Sequence, residues 1–286
     1  MKAEREAALP TALYVVATPL GNLGDITARA REVLARVAVV AAEDTRHSQR
    51  LLDALGIRAR MMALHEHNEQ QAVGALLEHL QAGAAVALIT DAGTPAISDP
   101  GARAVARVQA AGFTVTPVPG PCAAVAALSA SGLVGTRFDF VGFLPPRAQA
   151  RRAAIAALRE REPVQVLYEA PHRIVECVAD LRDVLGGARE IVFARELTKL
   201  HEEIARMSLA DAPAWLAADA NRQRGEYVLL LAGAPPQTAE AIGARETALL
   251  RALAEHLPPK TAAAIVAGHT GLPKKRLYEI LLAQKD

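Results

Sequence analysis

Cysteine, aromatic residues and net charge are all scarce in this chain, and each shortage removes a class of protein. Only Cys122 and Cys177 occur in 286 residues. They form no Cys-x-x-Cys pair, so neither a disulfide framework nor a cysteine-rich zinc module can be built. With no leader evident, this predicts residence in a reducing cytoplasm. Lys and Arg total 32 against 31 Asp and Glu, a net charge of +1, so any nucleic-acid contact must rest on local patches rather than a global field. Apolar runs such as 37–42 and 84–89 are too short for a bilayer, and no membrane partner is expected. Aromatic residues make up 3% of the chain, so alanine carries much of the 51% apolar fraction, a composition suited to helix-rich packing. A phosphate loop is missing too. Gly21-Asn-Leu-Gly24 lacks both the Lys-Ser/Thr ending of a P-loop and the third glycine of a dinucleotide fingerprint.

What is present is an apolar strand that empties into turn formers, hydroxyls and carboxylates: Leu88-Ile-Thr-Asp-Ala-Gly-Thr-Pro-Ala-Ile-Ser-Asp-Pro-Gly101. Gly93 allows close approach of backbone to a ligand, Thr94 and Ser98 offer hydroxyls, and Asp91 and Asp99 bring negative charge. Two carboxylates disfavour a phosphate ligand. They favour one with ribose hydroxyls or a positive centre.

In the first half, strand patterns at 13–17, 37–42, 59–64, 85–90 and 114–118 alternate with helical patterns at 27–36, 48–55, 69–81 and 102–111. Glycines 56, 83 and 112 close three of these helices. The alternation predicts a mostly parallel sheet covered on both faces, with its ligand crevice at the carboxyl ends of the strands. The rhythm changes after a helix at 122–131. Phe138-Asp-Phe-Val-Gly-Phe143 holds three of the five phenylalanines, and a mixed α/β layer follows: helix 151–161, strand 164–168, helix 171–185, strand 190–194, a polar strand near 202–207, helix 211–219 and strand 227–231. Pro235-Pro236 opens a linker, beyond which 246–256 and 261–269 read as helices, followed by the turn Gly271-Leu-Pro-Lys-Lys-Arg276 and a last helix to about residue 283.

Seven motifs occur in one order: Thr18-Pro-Leu-Gly-Asn-Leu-Gly-Asp25, Ala42-Glu-Asp-Thr-Arg46, Asp91-Ala-Gly-Thr-Pro95 with Ser98-Asp-Pro-Gly101, Pro119-Gly-Pro121, Gly142-Phe-Leu-Pro145, Glu169-Ala-Pro-His-Arg173 and Arg195-Glu-Leu-Thr-Lys199. Together they resemble the tetrapyrrole methylase superfamily, and within it the branch that 2′-O-methylates a cytidine of small-subunit ribosomal RNA. The resemblance implies a two-domain α/β fold with a mostly parallel N-terminal sheet (12–133), a mixed-sheet C-terminal domain (134–234) and a small basic helical extension (240–286). It also implies S-adenosylmethionine as cofactor, a homodimer, and ribosomal RNA or an assembled small subunit as partner. The same fold acting on a tetrapyrrole or protein residue, or a non-catalytic RNA-binding assembly factor, are the competing readings.

On this reading the donor contacts Pro19, Leu20, Asp91, Gly93, Thr94, Ile97, Asp99, Pro121, Cys122, Ala123, Leu167, Tyr168, Leu197 and Glu226. Glu169, His172 and Lys199 are the catalytic candidates. A general base for a ribose hydroxyl could also be Glu43 or Asp44, and sequence does not rank them. Arg46, Arg147, Arg151, Arg152, Arg173, Lys274, Lys275 and Arg276 are the expected RNA contacts. His65 and His67 would share one side of a strand, but no compact third ligand accompanies them, so no metal is expected.

Overall fold

The computed structural model describes residues 8–65, 68–135, 137–235 and 244–282. His67 and the linker from Pro236 onward lie outside them. The chain divides into a unit ending at Gly233 and a second unit from Ala234.

The first sheet has the order β3-β2-β4-β1-β5 and is parallel throughout. Its strands are β1 (Leu13–Val16), β2 (Val39–Ala42), β3 (Met61–Ala63), β4 (Val86–Leu88) and β5 (Val115–Val118). Alternation of side chains sends Tyr14, Val16, Val40 and Ala87 to one face, under α1 (Ala28–Arg36) and α2 (Thr45–Ala54). Leu13, Val39, Ala41 and Val86 go to the other, under α3 (Glu69–Gln81) and α4 (Ala102–Ala110). Both faces are therefore dry, which is why these strands read as unbroken apolar runs. Neighbours β1 and β4 send their connections in opposite directions, β1 toward β2 and β4 toward β5. The gap between their carboxyl ends is the topological switch point.

The second sheet has the order β6-β7-β10-β8-β9. β6 (Phe138–Phe143) runs parallel to β7 (Val164–Glu169), while β10 (Tyr227–Leu231), β8 (Glu190–Arg195) and β9 (Glu203–Ser208) pair antiparallel. One face packs Leu167, Ile191, Phe193 and Leu229 against α6 (Ala148–Ala156), α7 (Ile174–Leu185) and α8 (Ala212–Ala218). The opposite face packs Val164, Val166, Val192 and Val228 against Ala124 and Ala127 of α5 (Ala123–Ala130). That helix precedes residue 133 in sequence yet buries its face on the second sheet.

In the second unit α9 (Ala244–His256), α10 (Pro259–Thr270) and α11 (Lys274–Leu282) close around Leu250, Ala262, Val266, Leu277 and Leu281. Gly271, in the left-handed region at φ +72°, ends α10 and lets the chain turn into α11. No helix among the described residues is long and apolar enough to cross a membrane.

Candidate active site

Three loops meet at the switch point, and backbone hydrogen bonds tie them together. Thr18 and Gly93 bond each other reciprocally, Thr18 N to Gly93 O at 2.9 Å and Gly93 N to Thr18 O at 3.1 Å, joining the loops after β1 and β4. The buried Thr18 hydroxyl donates to Thr90 O at 3.1 Å. Thr94 Oγ1 donates to Pro121 O at 2.9 Å and brings in the loop after β5. Gly93 has φ +84°, and a Cβ there would stand 3.2 Å from Leu20 Cδ2. A side chain at this position meets both backbone strain and a neighbour.

These loops and the ends of β7, β8 and β10 enclose a cavity of about 360 Å³. Leu20, Asp91, Gly93, Thr94, Ile97, Asp99, Cys122, Ala123, Tyr168, Leu197 and Glu226 line it, as does the catalytic candidate Glu169. Three expected donor contacts do not. Leu167 packs into the core on the other side of β7 with Phe193 and Leu229, and its neighbour Tyr168 takes the cavity side. Pro121 contributes its carbonyl to Thr94 rather than a wall, and Pro19 is buried outside the lining. Ser98, whose hydroxyl the sequence offered, lines the cavity as well; Ala92, Phe143, Ala170, Pro171, Ala194, Tyr227 and Val228 are lining residues the sequence reading missed. Those on β8 and β10 become visible only when the strand order is known. Pro171 and Phe143 stood inside quoted motifs and could have been named.

The described residues contain four non-glycine positions at positive φ: Ala96 (67°), Ser98 (62°), Glu196 (49°) and Thr198 (67°). All four lie in the loops that carry Ile97, Asp99 and Leu197 to the cavity. Each costs of order 1–3 kcal/mol, and strain of this kind collects at ligand sites.

The electrostatics are acidic. Burial pushes the Asp99 carboxyl above its ordinary value, a rise partly offset by the Thr90 hydroxyl and reinforced by the charge of Asp91. Asp91 Oδ1 and Glu169 Oε2 are buried with no hydrogen-bond partner among the described residues. Glu169, 2% exposed, uses its other oxygen to accept from Ala170 N at 2.8 Å and to meet Arg173 Nε at 3.3 Å. Tyr168 is pushed up to about 12, mainly by burial, and its oxygen accepts from Ala124 N at 3.2 Å in the first turn of α5. At neutral pH it is a phenol and not a base.

The candidate bases separate on geometry. Asp44 caps α2, accepting from Arg46 N at 2.8 Å and His47 N at 3.3 Å, and these bonds hold its carboxyl below the usual range. Lys199 donates to Glu226 Oε2 at 2.8 Å and Glu196 Oε1 at 3.0 Å. Burial pulls its pKa down, but the two carboxylates outweigh that and hold it above its ordinary value, so it is a cation. Its stem lies across Gly21, where a Cβ would collide with it. His172 is exposed and does not line the cavity; neither does Glu43. Glu169 is the one candidate among these that lines the cavity.

The expected RNA contacts also divide. Arg151 is 3% exposed and bonded to Asp180 at 2.7 Å, with Glu176 at 3.4 Å, because it shares the buried face of α6 with Ile155. It leaves the RNA-facing set. Arg173 is turned back onto Leu144 O at 2.7 Å and Pro145 O at 3.3 Å and serves the local fold. Arg152 is half exposed and paired with Asp180 at 2.8 Å. Arg46, Arg147, Lys274, Lys275 and Arg276 are exposed. The described residues hold no group of three or more His, Cys, Asp or Glu placed to bind a metal.

S-adenosylmethionine fits this lining. The acidic lining of Asp91, Asp99, Glu169 and Glu226 suits a ligand that carries a sulfonium and an ammonium. Residues 12–213 match the model of the Tetrapyrrole (Corrin/Porphyrin) Methylases, and the chain belongs to that family. Residues 240–285 match the RsmI C-terminal HTH domain. Among curated relatives, the chain is 52% identical to "Ribosomal RNA small subunit methyltransferase I" of Pseudomonas aeruginosa, covering 96% of this chain and 97% of that one. It is 47% identical to the protein of the same name from Escherichia coli O157:H7, over 96% and 95%. Among solved structures, the methyltransferase CobJ aligns with TM-score 0.59 at 18% identity, over 78% of this chain and 94% of that one, a likeness of fold.

Proposed function

We propose that this protein transfers the methyl group of S-adenosylmethionine to the ribose 2′-oxygen of a cytidine in small-subunit ribosomal RNA. The observation that carries the chemistry is the cavity at the switch point, lined by the carboxylates Asp91, Asp99, Glu169 and Glu226. The names of relatives alike over nearly their whole length support the RNA substrate.

When bound, the donor supplies a methyl carbon activated by a sulfonium sulfur. Asp91 and Asp99 attract that positive charge, and the tied loops of Thr18, Gly93 and Thr94 hold the pocket wall rigid. Much of the acceleration then comes from aligning the 2′-oxygen with the methyl carbon. As that oxygen bonds the methyl carbon, the carbon–sulfur bond of the donor would break and the hydroxyl proton would leave; Glu169 is the residue we assign to take it up. Lys199 acts at one remove, fixing Glu226 at the cavity wall and the loop at Gly21 behind it.

In the first unit the exposed Arg46 and Arg147 are the assigned phosphate contacts, and in the second unit the basic start of α11 at Lys274, Lys275 and Arg276 is assigned the same role. The working form is a homodimer in the cytoplasm, where ribosomal subunits are made. Light scattering at micromolar concentration checks the assembly, and a mass near 30.2 kDa contradicts it. The activity is tested with methyl-labelled donor and small-subunit RNA, followed by mapping of 2′-O-methyl marks in cells with and without the gene. Loss of no mark refutes the assignment.

A further inference from the structure

Three of the five phenylalanines lie on β6, and their placement depends on one irregularity. Phe138 pairs with Val164 and Phe140 with Val166, so both share the face that carries α5. Strict alternation would turn Phe143 to the opposite face, where Val141 packs into the core. The register slips between Phe140 and Gly142 instead, and Phe143 pairs with Tyr168 on the same face as the other two. Gly142 makes the slip feasible with φ +70°, and a Cβ there would press on Ser98 Oγ at 3.0 Å.

The result is an aromatic row at an open sheet edge. Tyr168 meets Phe140 edge-on at 5.1 Å between ring centroids and Phe143 at 5.8 Å. Phe138, Phe140 and Phe143 remain 44%, 37% and 53% exposed, although large rings are costly to leave in water. The row is continuous with the donor cavity, because Phe143 and Tyr168 line both. Four residues beyond Phe143, the exposed Arg147 stands immediately before α6.

We propose that this row stacks unpaired bases of the acceptor RNA and so leads the target nucleotide to the donor cavity. The inference rests on the methyl-transfer reading above. Aromatic rings beside a guanidinium are the usual platform for single-stranded RNA, and they read unstacked bases rather than a duplex. An unpaired nucleotide can turn its ribose into the cavity while its base stays on the rings. A row that starts outside and ends in the wall allows this.

The test uses the full chain and the paired variant Phe138→Ala/Phe140→Ala, neither residue being part of the cavity lining. Binding is measured by fluorescence anisotropy to a single-stranded oligoribonucleotide, to the same strand in a duplex, and across a salt series. The expected result is affinity for the single strand lower by about ten- to a hundredfold. Duplex affinity and the salt slope stay unchanged, because stacking releases no counterions. Calorimetry with S-adenosylmethionine shows wild-type affinity, and in the methylation assay KM for RNA rises more than kcat falls. Unchanged single-strand affinity in a folded variant overturns the inference and leaves the methyl-transfer reading standing. A variant that loses RNA affinity only because its mass falls from dimer to monomer overturns it as well, by assigning the row to a second copy of the chain. A wild-type chain that binds no RNA overturns both.

Discussion

Lys199 holds Glu226 at 2.8 Å from its ammonium, and through this pair a cation outside the lining fixes a carboxylate that lines the switch-point cavity. The same ammonium bonds Glu196, a residue in left-handed backbone, while the Lys199 stem rests on Gly21 of the loop after β1. One side chain thus latches loops from both sheets. Lys199→Met keeps the stem and removes the charge. Donor affinity should fall about three- to tenfold, in line with the loss of partly exposed ion pairs, with little change in kcat at saturating donor. A collapse of kcat with donor affinity intact would instead place Lys199 in the chemistry.

Gly93 makes a sharper case. Gly93→Val adds a β-branched side chain at φ +84°, against Leu20, in the residue that exchanges two backbone bonds with Thr18. Strain of about 1–3 kcal/mol is expected in the unfolding free energy, together with loss of measurable donor binding by calorimetry. Asp91→Ala should weaken the donor without destabilising the fold. If both variants fold and bind S-adenosylmethionine as the parent does, the donor site lies elsewhere.

The raised pKa of Asp99 fixes the sign of a pH effect. Because burial makes the folded protein hold this proton more tightly than the unfolded chain, Asp99 favours folding as pH falls through its raised value and opposes it as pH rises again. At neutral pH the buried charge is a cost that a cationic ligand relieves. Asp99→Asn should therefore raise the melting temperature of the ligand-free protein and lower donor affinity. The parent's donor affinity should decline on acidification at a pH above the ordinary aspartate range, and the variant should lack that limb. Parallel profiles for the two proteins would remove Asp99 from the donor site.

The sequence disclosed much of this site because its signals are local. Gly56, Gly83 and Gly112 each follow a helix and each has positive φ, as their spacing required. The loop from Asp91 to Asp99 announced itself by composition. What stayed hidden depends on partners far along the chain. Arg151 reads as a solvated cation until α6 is phased against α7 and Asp180 appears opposite it. The helix expected from Pro171 begins at Ile174, because Glu169 Oε1 and the Leu144 carbonyl hold residues 170–173 in turns. Leu167 and Tyr168 could have been separated by strand periodicity alone. The bulge at Gly142 could not, since nothing in the alternation before it marks the slip.

Arg151 itself gives a stability test. Replacing it with leucine leaves Asp180 buried with only Arg152 to balance it. Breaking a buried pair typically costs 3–5 kcal/mol, and the surviving partner should hold the loss to about 2–4 kcal/mol in urea unfolding. RNA affinity of the folded variant should match the parent. Weaker RNA binding in a variant of unchanged stability would return Arg151 to the RNA surface.

The basic start of α11 supplies the opposite expectation. Lys274, Lys275 and Arg276 are exposed, while Leu277 and Leu281 of the same helix are buried in the core of its unit. Alanine at 274–276 therefore keeps both the packing and the helix propensity, and circular dichroism should be unchanged. If the three cations neutralise phosphates, their removal takes the corresponding counterion release with it. The slope of log affinity against log salt should flatten by roughly two to three units, since each contact contributes just under one. Single-strand and duplex RNA should weaken together, unlike the Phe138→Ala/Phe140→Ala variant, which discriminates between them. Donor affinity should not move. If the triple substitution alters neither RNA affinity nor slope, these charges are a solvated face, and the phosphate contacts must be sought among Arg46 and Arg147.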